Sequence, residues 1–233
     1  MSRAYDLLIF DWDGTLADSA ASIVEGMQRA IAQLRLPQRT DQEIREKIGL
    51  GFGDAVTRLF PEMEAGEIIR LLDGYRRSLL AGGRHADGPA EAPLFPGALE
   101  ALRALAGAGY RIAVATGKSR GSLERSLTAH PALRELLSSS RCADETASKP
   151  DPLMLRELLE EEDVAAARAL MVGDTEFDVM MAGAARVPAV GVVCGVHEPE
   201  RLVQAGALAL IDGVHHLPGW LTRAHGARYG SRA

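Results

Sequence analysis

The alternation of apolar and polar positions changes character three times along the chain. It begins with Leu7-Leu8-Ile9-Phe10, a short continuous apolar run bounded by polar and glycine residues, which reads as a parallel strand buried on both faces. From Ser19 to about residue 80 the apolar residues instead recur at helical spacing, and no strand-like segment intervenes. Ile23, Val24, Met27, Ala30, Ile31 and Leu34 outline one helix up to a stop at Pro37. Thr40 followed by Glu43 has the spacing of a capping box that opens a short helix through Ile48. Gly49 to Gly53 makes a loop, Asp54 is placed to cap a helix over 55–60, and a longer helix over 64–80 sets Ile68, Ile69, Leu72, Tyr75 and Leu79 on one face. Residues 81–93, AGGRHADGPAEAP, are rich in Gly and Pro, lack periodicity and read as a linker.

Beyond the linker the order becomes alternating. Helices over 97–106, 122–129 and 152–160, and others starting near 176, after 198 and near 217, are interleaved with strands at 111–115, 139–142, 169–172, 189–193 and 208–211. Such alternation predicts a parallel sheet covered by helices on both faces. The expected fold class is therefore α/β, a doubly wound Rossmann-like sheet with an inserted all-helical cap. The core spans 1–18 and 91–233, and the cap 19–90. An insert that leaves from the tip of the first strand sits above that tip, where it can act as a lid.

Composition narrows the picture. In 233 residues, 47% are hydrophobic and 25% charged, as in ordinary globular proteins, and a net charge of -6 argues against a nucleic-acid partner. Cys142 and Cys194 form no C-x-x-C pair, so neither zinc nor a redox motif is signalled and reduced thiols are expected. The first residues lack the regions of a signal peptide, and no apolar run approaches the roughly 18 residues of a membrane span. The expectation is a cytoplasmic protein with no membrane partner.

Four stretches carry candidate chemistry. The first strand ends in Asp11 and Asp13, two positions apart and so on the same side, with Trp12 turned the other way. In open α/β sheets ligands bind beyond the carboxyl ends of the strands, where these acids fall. Thr116-Gly117-Lys118-Ser119 joins a strand to a helix. Its Gly-Lys-Ser invites a P-loop reading, but Ile112 stands where that pattern needs Gly, which leaves a hydroxyl and backbone N–H groups at a helix start as an anion site. In Ser148-Lys149-Pro150-Asp151-Pro152 two prolines fix the chain around Lys149, a candidate phosphate cation that taken alone reads equally as an exposed lysine in a turn. Gly173-Asp174-Thr175-Glu176-Phe177-Asp178 repeats the opening design. Oxygen ligands converging from two strand ends suit Mg²⁺, although Asp174 is also placed to cap the following helix.

In order, D-x-D-G-T-L, T-G-K, the lysine of S-K-P-D-P and G-D-T-x-x-D resemble the motifs of the haloacid dehalogenase superfamily, and the helical insert resembles the lid of its phosphoglycolate phosphatase-like branch. The resemblance implies a Mg²⁺-dependent phosphatase acting on a small phosphorylated metabolite. Asp11 would be the nucleophile that forms an aspartyl-phosphate, and Asp13 the general acid and then base. Thr116, the N–H of Gly117 and Lys149 would hold the phosphoryl oxygens. Mg²⁺ would lie on Asp11, the main-chain carbonyl of Asp13, Asp174 and, directly or through water, Asp178. Gly117 departs from the Asn of many relatives, and Trp12 replaces an aliphatic residue. Lys47, beside the Gly49 to Gly53 loop, is the candidate lid cation for a carboxylated phosphate such as phosphoglycolate. The alternatives are a phosphomutase and a catalytically silent binding module; Asp13 weighs against a dehalogenase, which has no need of that acid.

Overall fold

The computed structural model describes residues 3–81 and 91–230, so most of the expected linker and the side chain of Leu79 lie outside the described residues. Six strands form one sheet: β1 (Leu7–Phe10), β2 (Arg111–Thr116), β3 (Leu137–Cys142), β4 (Ala169–Gly173), β5 (Ala189–Val192) and β6 (Ala209–Ile211). Their order is β3-β2-β1-β4-β5-β6 and each pairing is parallel. β1 is central, with Leu7 in register with Arg111 on one side and Ala169 on the other.

All four side chains of β1 are fully buried. Burying a side chain of this size contributes roughly 1.5–3 kcal/mol, against about 1–2 kcal/mol to fix each residue's backbone, so the strand depends on its neighbours rather than on itself. Its pleat divides the core in two. Leu8 and Phe10, continued by Trp12, face one apolar layer and Leu7 and Ile9 face the other.

The helices are α1 (Ala20–Leu34), α2 (Asp41–Arg45), α3 (Phe52–Leu59), α4 (Ala65–Ala81), α5 (Ala98–Gly107), α6 (Arg120–Ala129), α7 (Pro131–Arg134), α8 (Leu153–Glu161), α9 (Glu176–Ala184), α10 (Pro199–Gln204) and α11 (Leu217–Gly230). Leu102 of α5, Leu123 of α6 and Leu221 of α11 pack on the face of Phe10, while Leu155 of α8, Val179 of α9 and Leu202 of α10 pack on the face of Ile9. This is the doubly wound sheet read from the alternation. Helices α1 to α4 form a cap around a third apolar cluster that includes Met27, Ile31, Ile44, Val56, Phe60 and Leu71. The two chain crossings between sheet and cap run side by side, the Asp18 N–H donating to Pro93 O and the Phe95 N–H to Leu16 O, each at 2.9 Å.

Several boundaries differ from the expected ones, each for a local reason. The Thr40–Glu43 capping box is present, but α2 gives way after Arg45 to tighter turns in which the Lys47 and Ile48 N–H groups bond three residues back at 3.0 Å. Gly51 rather than Asp54 is the N-cap of α3; its extended backbone begins the helix at Phe52, and Asp54 falls in the first turn, where the helix dipole favours an acid. Ile69 is 59% exposed and does not share the buried face, which belongs to Leu71 at 0%. Likewise α6 starts at Arg120, two residues earlier than expected, and the Arg120 N–H donates to Asp144 Oδ1 at 2.8 Å. Among the described residues no helix is long and apolar enough to cross a membrane.

Candidate active site

The chain runs from β1 outward to β2 and β3, then returns to place β4 on the other side of β1. The reversal opens a crevice at the carboxyl ends of β1 and β4, the place where doubly wound sheets bind ligands. Both acid-bearing turns end there. A cavity of about 1080 Å³ lies between this edge and the cap, and Asp11, Asp13, Lys47, Gly117 and Lys118 line it.

Asp11 follows β1 directly and is 1% exposed. Its Oδ1 lies 2.7 Å from Lys149 Nζ, yet neither carboxylate oxygen accepts a well-directed hydrogen bond. Lys149, fully buried, also reaches Asp178 Oδ1 at 2.6 Å. It is no exposed turn lysine; the S-K-P-D-P stretch delivers it inside the site. One carboxylate oxygen from each of Asp11, Asp174 and Asp178 lies within 4.8 Å of the other two.

The two later acids are held much more firmly. Thr175, not Asp174, is the N-cap of α9: its Oγ1 accepts the Asp178 N–H, while Asp178 Oδ2 accepts the Thr175 N–H at 3.1 Å and its hydroxyl at 2.6 Å. That capping box leaves Asp174 free to face the crevice, where it accepts the Thr15 hydroxyl at 2.8 Å and the Val196 N–H at 2.9 Å. Glycines make its cradle. A Cβ at Gly14, whose φ is +82°, would come within 2.2 Å of Asp174 Oδ2, and one at Gly195 within 2.1 Å.

Three buried carboxylates facing one ammonium leave an excess negative charge, and the electrostatics reflect it. Burial pushes the Asp11 carboxyl well above its ordinary range; Lys149 opposes this, while Asp178 and Asp174 add to it. Asp174 is pushed up to about 7, by burial first and Asp178 second, against its hydrogen bonds from Thr15 and Val196. Burial works against a charged Lys149, but Asp11 and Asp178 outweigh it and move the ammonium upward. An all-oxygen donor set with unsatisfied carboxylate oxygens fits a hard divalent cation.

Asp13 lines the same cavity as Asp11 but has partners of its own. Ser19 Oγ donates to its Oδ1 at 2.7 Å, and Lys118 Nζ lies 3.0 Å from the same oxygen. Thr116 is fully buried, and its hydroxyl oxygen accepts the Lys118 N–H at 3.2 Å. At Gly117 a Cβ would meet Leu50 O at 2.5 Å and Gly49 O at 2.7 Å, so a side chain here collides with the main chain of the cap. That contact accounts for glycine at this position. The same loop touches the sheet edge again through the Gly51 N–H, which donates to Ser148 Oγ at 2.8 Å. Lys47 stands on the cavity wall with its Nζ 3.7 Å from Glu46 Oε2.

Ser19 and Thr15 were not singled out from sequence as partners of the two acids, nor were Lys118 as the Asp13 cation and the loop Gly195–His197. Thr15 and Lys118 lie inside the D-G-T and T-G-K motifs, which is a usable signal. The loop after β5 carries no motif and is marked only by its place at the ligand-binding edge.

The fold and the buried acid cluster define a hydrolase class built on a doubly wound sheet with a helical lid. Residues 8–192 match the family of haloacid dehalogenase-like hydrolases. The chain is 35% identical to a phosphoglycolate phosphatase of Rhodospirillum rubrum over 92% of this chain and 90% of that one. It is 34% identical to the plasmid phosphoglycolate phosphatase of Cupriavidus necator over 93% of each. Its fold is shared with a hydrolase from Pseudomonas syringae, with a TM-score of 0.81, 23% identity and coverage of 93% and 98%. The chain belongs to the haloacid dehalogenase-like hydrolase family, and its activity is that of a phosphatase.

Proposed function

We propose that the protein is a Mg²⁺-dependent phosphatase for a small phosphate monoester that also bears a carboxylate, of the phosphoglycolate kind, with residues 19–90 as its lid. The observation that carries this reading is the Asp11 carboxylate, buried at the cavity floor with the Lys149 ammonium 2.7 Å from its Oδ1 and no backbone or hydroxyl donor on either oxygen. A carboxylate left in that state keeps its lone pairs for an electrophile.

In the proposed reaction an Asp11 oxygen attacks phosphorus, the bond from phosphorus to the ester oxygen breaks, and an aspartyl-phosphate forms on Asp11. Asp13, oriented by Ser19 and Lys118, gives its proton to the leaving oxygen and then takes one from the water that releases phosphate. Lys149, with the Thr116 hydroxyl and the Gly117 N–H, neutralises and orients the phosphoryl oxygens. Asp11, Asp174, Asp178 and the Asp13 carbonyl would hold Mg²⁺, which when bound offsets the repulsion between a carboxylate and a phosphate dianion. Lys47 and Lys118 put cations on the cavity wall, suited to the substrate's carboxylate. Hydrolysis of p-nitrophenyl phosphate and 2-phosphoglycolate is expected with Mg²⁺, lost with EDTA, and reduced by about 10⁴-fold or more in Asp11→Asn. Turnover by Asp11→Asn at the wild-type rate would overturn the assignment.

A further inference from the structure

Beyond the acid cluster, one buried side chain joins the cap to the helix that carries Asp178. His197 follows β5 in the loop whose Val196 N–H holds Asp174, and it is only 4% exposed. Its Nδ1 accepts the Glu176 N–H at 3.1 Å, at the start of α9. An imidazole that accepts at Nδ1 and remains neutral carries its proton on Nε2. That Nε2 lies 3.3 Å from the carbonyl oxygen of Glu46, in the cap, and donates to it. The ring also meets Phe177 edge-on at 5.2 Å, and Phe177 packs with Leu50 and Ala55 of the cap. Val196, one residue earlier, packs against the cap's own apolar cluster.

We propose that His197 is a positioning residue for the reaction: by bridging the Glu46 carbonyl to the first turn of α9, it ties down the cap segment 46–51 and so holds Lys47 at the cavity wall while substrate is bound. Lys47 directly follows the tethered carbonyl, and two turn hydrogen bonds fix the chain on either side, from Lys47 N to Ile44 O at 3.0 Å and from Leu50 N to Lys47 O at 3.3 Å. Four residues after Lys47, the Gly51 N–H makes its own bond to Ser148 in the core. The inference rests on the phosphatase reading for its link to substrate, but not for the tether itself.

The tether needs a neutral ring. An imidazolium has a proton on Nδ1, which would then face the Glu176 N–H, donor against donor. Burial and then Arg201 hold the His197 ring below its ordinary value of 6.5; the Glu46 carbonyl, Glu176 and Asp178 act in the opposite sense. The other charges on the packed elements are Glu46 and Lys47 at the end of α2, Arg58 of α3 over the Phe177 ring at 5.5 Å, and Glu198 beside α10; Arg201 itself is paired with Glu176 at 2.5 Å. With a folded value below the free one, the tether is fully present above about 6.5 and is lost only as pH falls through the lowered folded value.

The test compares His197→Phe, which keeps a ring and removes both nitrogens, with His197→Gln, whose amide N–H reaches toward the Glu46 carbonyl at every pH. For 2-phosphoglycolate with Mg²⁺, His197→Phe is expected to raise KM about tenfold at pH 7.5 with kcat within about threefold, and to converge on wild type as pH is lowered through the ionisation of the His197 ring, which NMR of the wild-type imidazole locates. His197→Gln restores most of the KM at pH 7.5. Taking each KM relative to wild type at the same pH cancels the ionisation of the substrate. Hydrogen exchange at the Gly51 amide, corrected for intrinsic rates, reads the tether without turnover: protection is expected to fall in His197→Phe at pH 7.5 and in wild type once the His197 ring is protonated. A KM ratio constant with pH, or Gly51 protection equal in all three proteins, overturns the proposal. If no substrate is turned over but the exchange pattern holds, the phosphatase reading fails and the tether stands.

Discussion

The two acid-bearing turns look alike in sequence and are built differently. After β4, Asp174 accepts a hydroxyl and a backbone N–H, and Asp178 accepts a backbone N–H, a hydroxyl and the Lys149 ammonium. After β1, Asp11 has an ammonium beside it and no hydrogen bond directed at it. In the proposed reaction the saturated pair is the scaffold and Asp11 the reagent. Hydrogen bonds stabilise a carboxylate in place but draw on the lone pairs that a nucleophile must offer, which sets Asp11 apart from Asp174 and Asp178, and from Asp13 with its Ser19 and Lys118 partners.

The sharpest way to break this contrast is a pair of isosteric changes. Asp11→Asn and Asp174→Asn are both expected to lower turnover by about 10⁴-fold or more, but to move stability in opposite directions. Removing the buried charge of Asp11 leaves Lys149 paired with Asp178 and is expected to raise the metal-free Tm by about 2–5 °C. An amide at Asp174 turns an N–H₂ group toward the Thr15 hydroxyl or the Val196 N–H and is expected to lower Tm by a similar amount. Thermal unfolding of the two variants decides the matter; equal shifts of the same sign would erase the distinction.

A smaller effect sharpens it by pH. The Asp174 carboxyl rises from 3.8 to about 7, so its contribution to the metal-free fold is fully present below about 3.8 and is lost as pH rises through about 7. Metal-free Tm is therefore expected to fall between pH 6 and 8 by about 2–4 °C, and added Mg²⁺ to recover more at pH 8 than at pH 6. A Tm gain from Mg²⁺ that is independent of pH would contradict it. The smallest effect is at the rim. Lys47→Ala is expected to raise KM for 2-phosphoglycolate about fivefold with kcat unchanged, and an unaltered kcat/KM in steady-state assays would remove Lys47 from the substrate's path.

Much of this was legible before any coordinates. β1, β2, β4 and β5 are short apolar runs with no competing period, and α1 has an unbroken helical stripe, so pattern alone places them, whereas the polar β3 (LSSSRC) is legible only from the alternation around it. The order D-x-D, T-G-K, Lys149 and G-D-T-x-x-D marks the candidate site because three of the motifs end strands on the same edge and Lys149 lies in the loop between β3 and α8. What sequence obscured depends on tertiary contact. Asp54 is the cap that sequence suggests for α3, and the role falls instead to Gly51, whose N–H reaches Ser148, 97 residues away. Ile69 and Leu71 are both apolar residues on α4, and only packing against the cap cluster shows that Leu71 is the one turned inward. Lys149 could be read as exposed or buried until Asp11 and Asp178 were found on either side of it.

The close approach of the Gly49 and Leu50 carbonyls to Gly117 has a consequence for how the enzyme can be re-engineered. A ceiling made of main chain cannot be trimmed by shortening a residue, because no rotamer change moves a carbonyl out of the way. Substrates that need room directly above Gly117 therefore call for a shifted hinge or a longer 49–51 loop, whereas the side-chain walls formed by residues such as Phe52 and Tyr75 remain open to point changes.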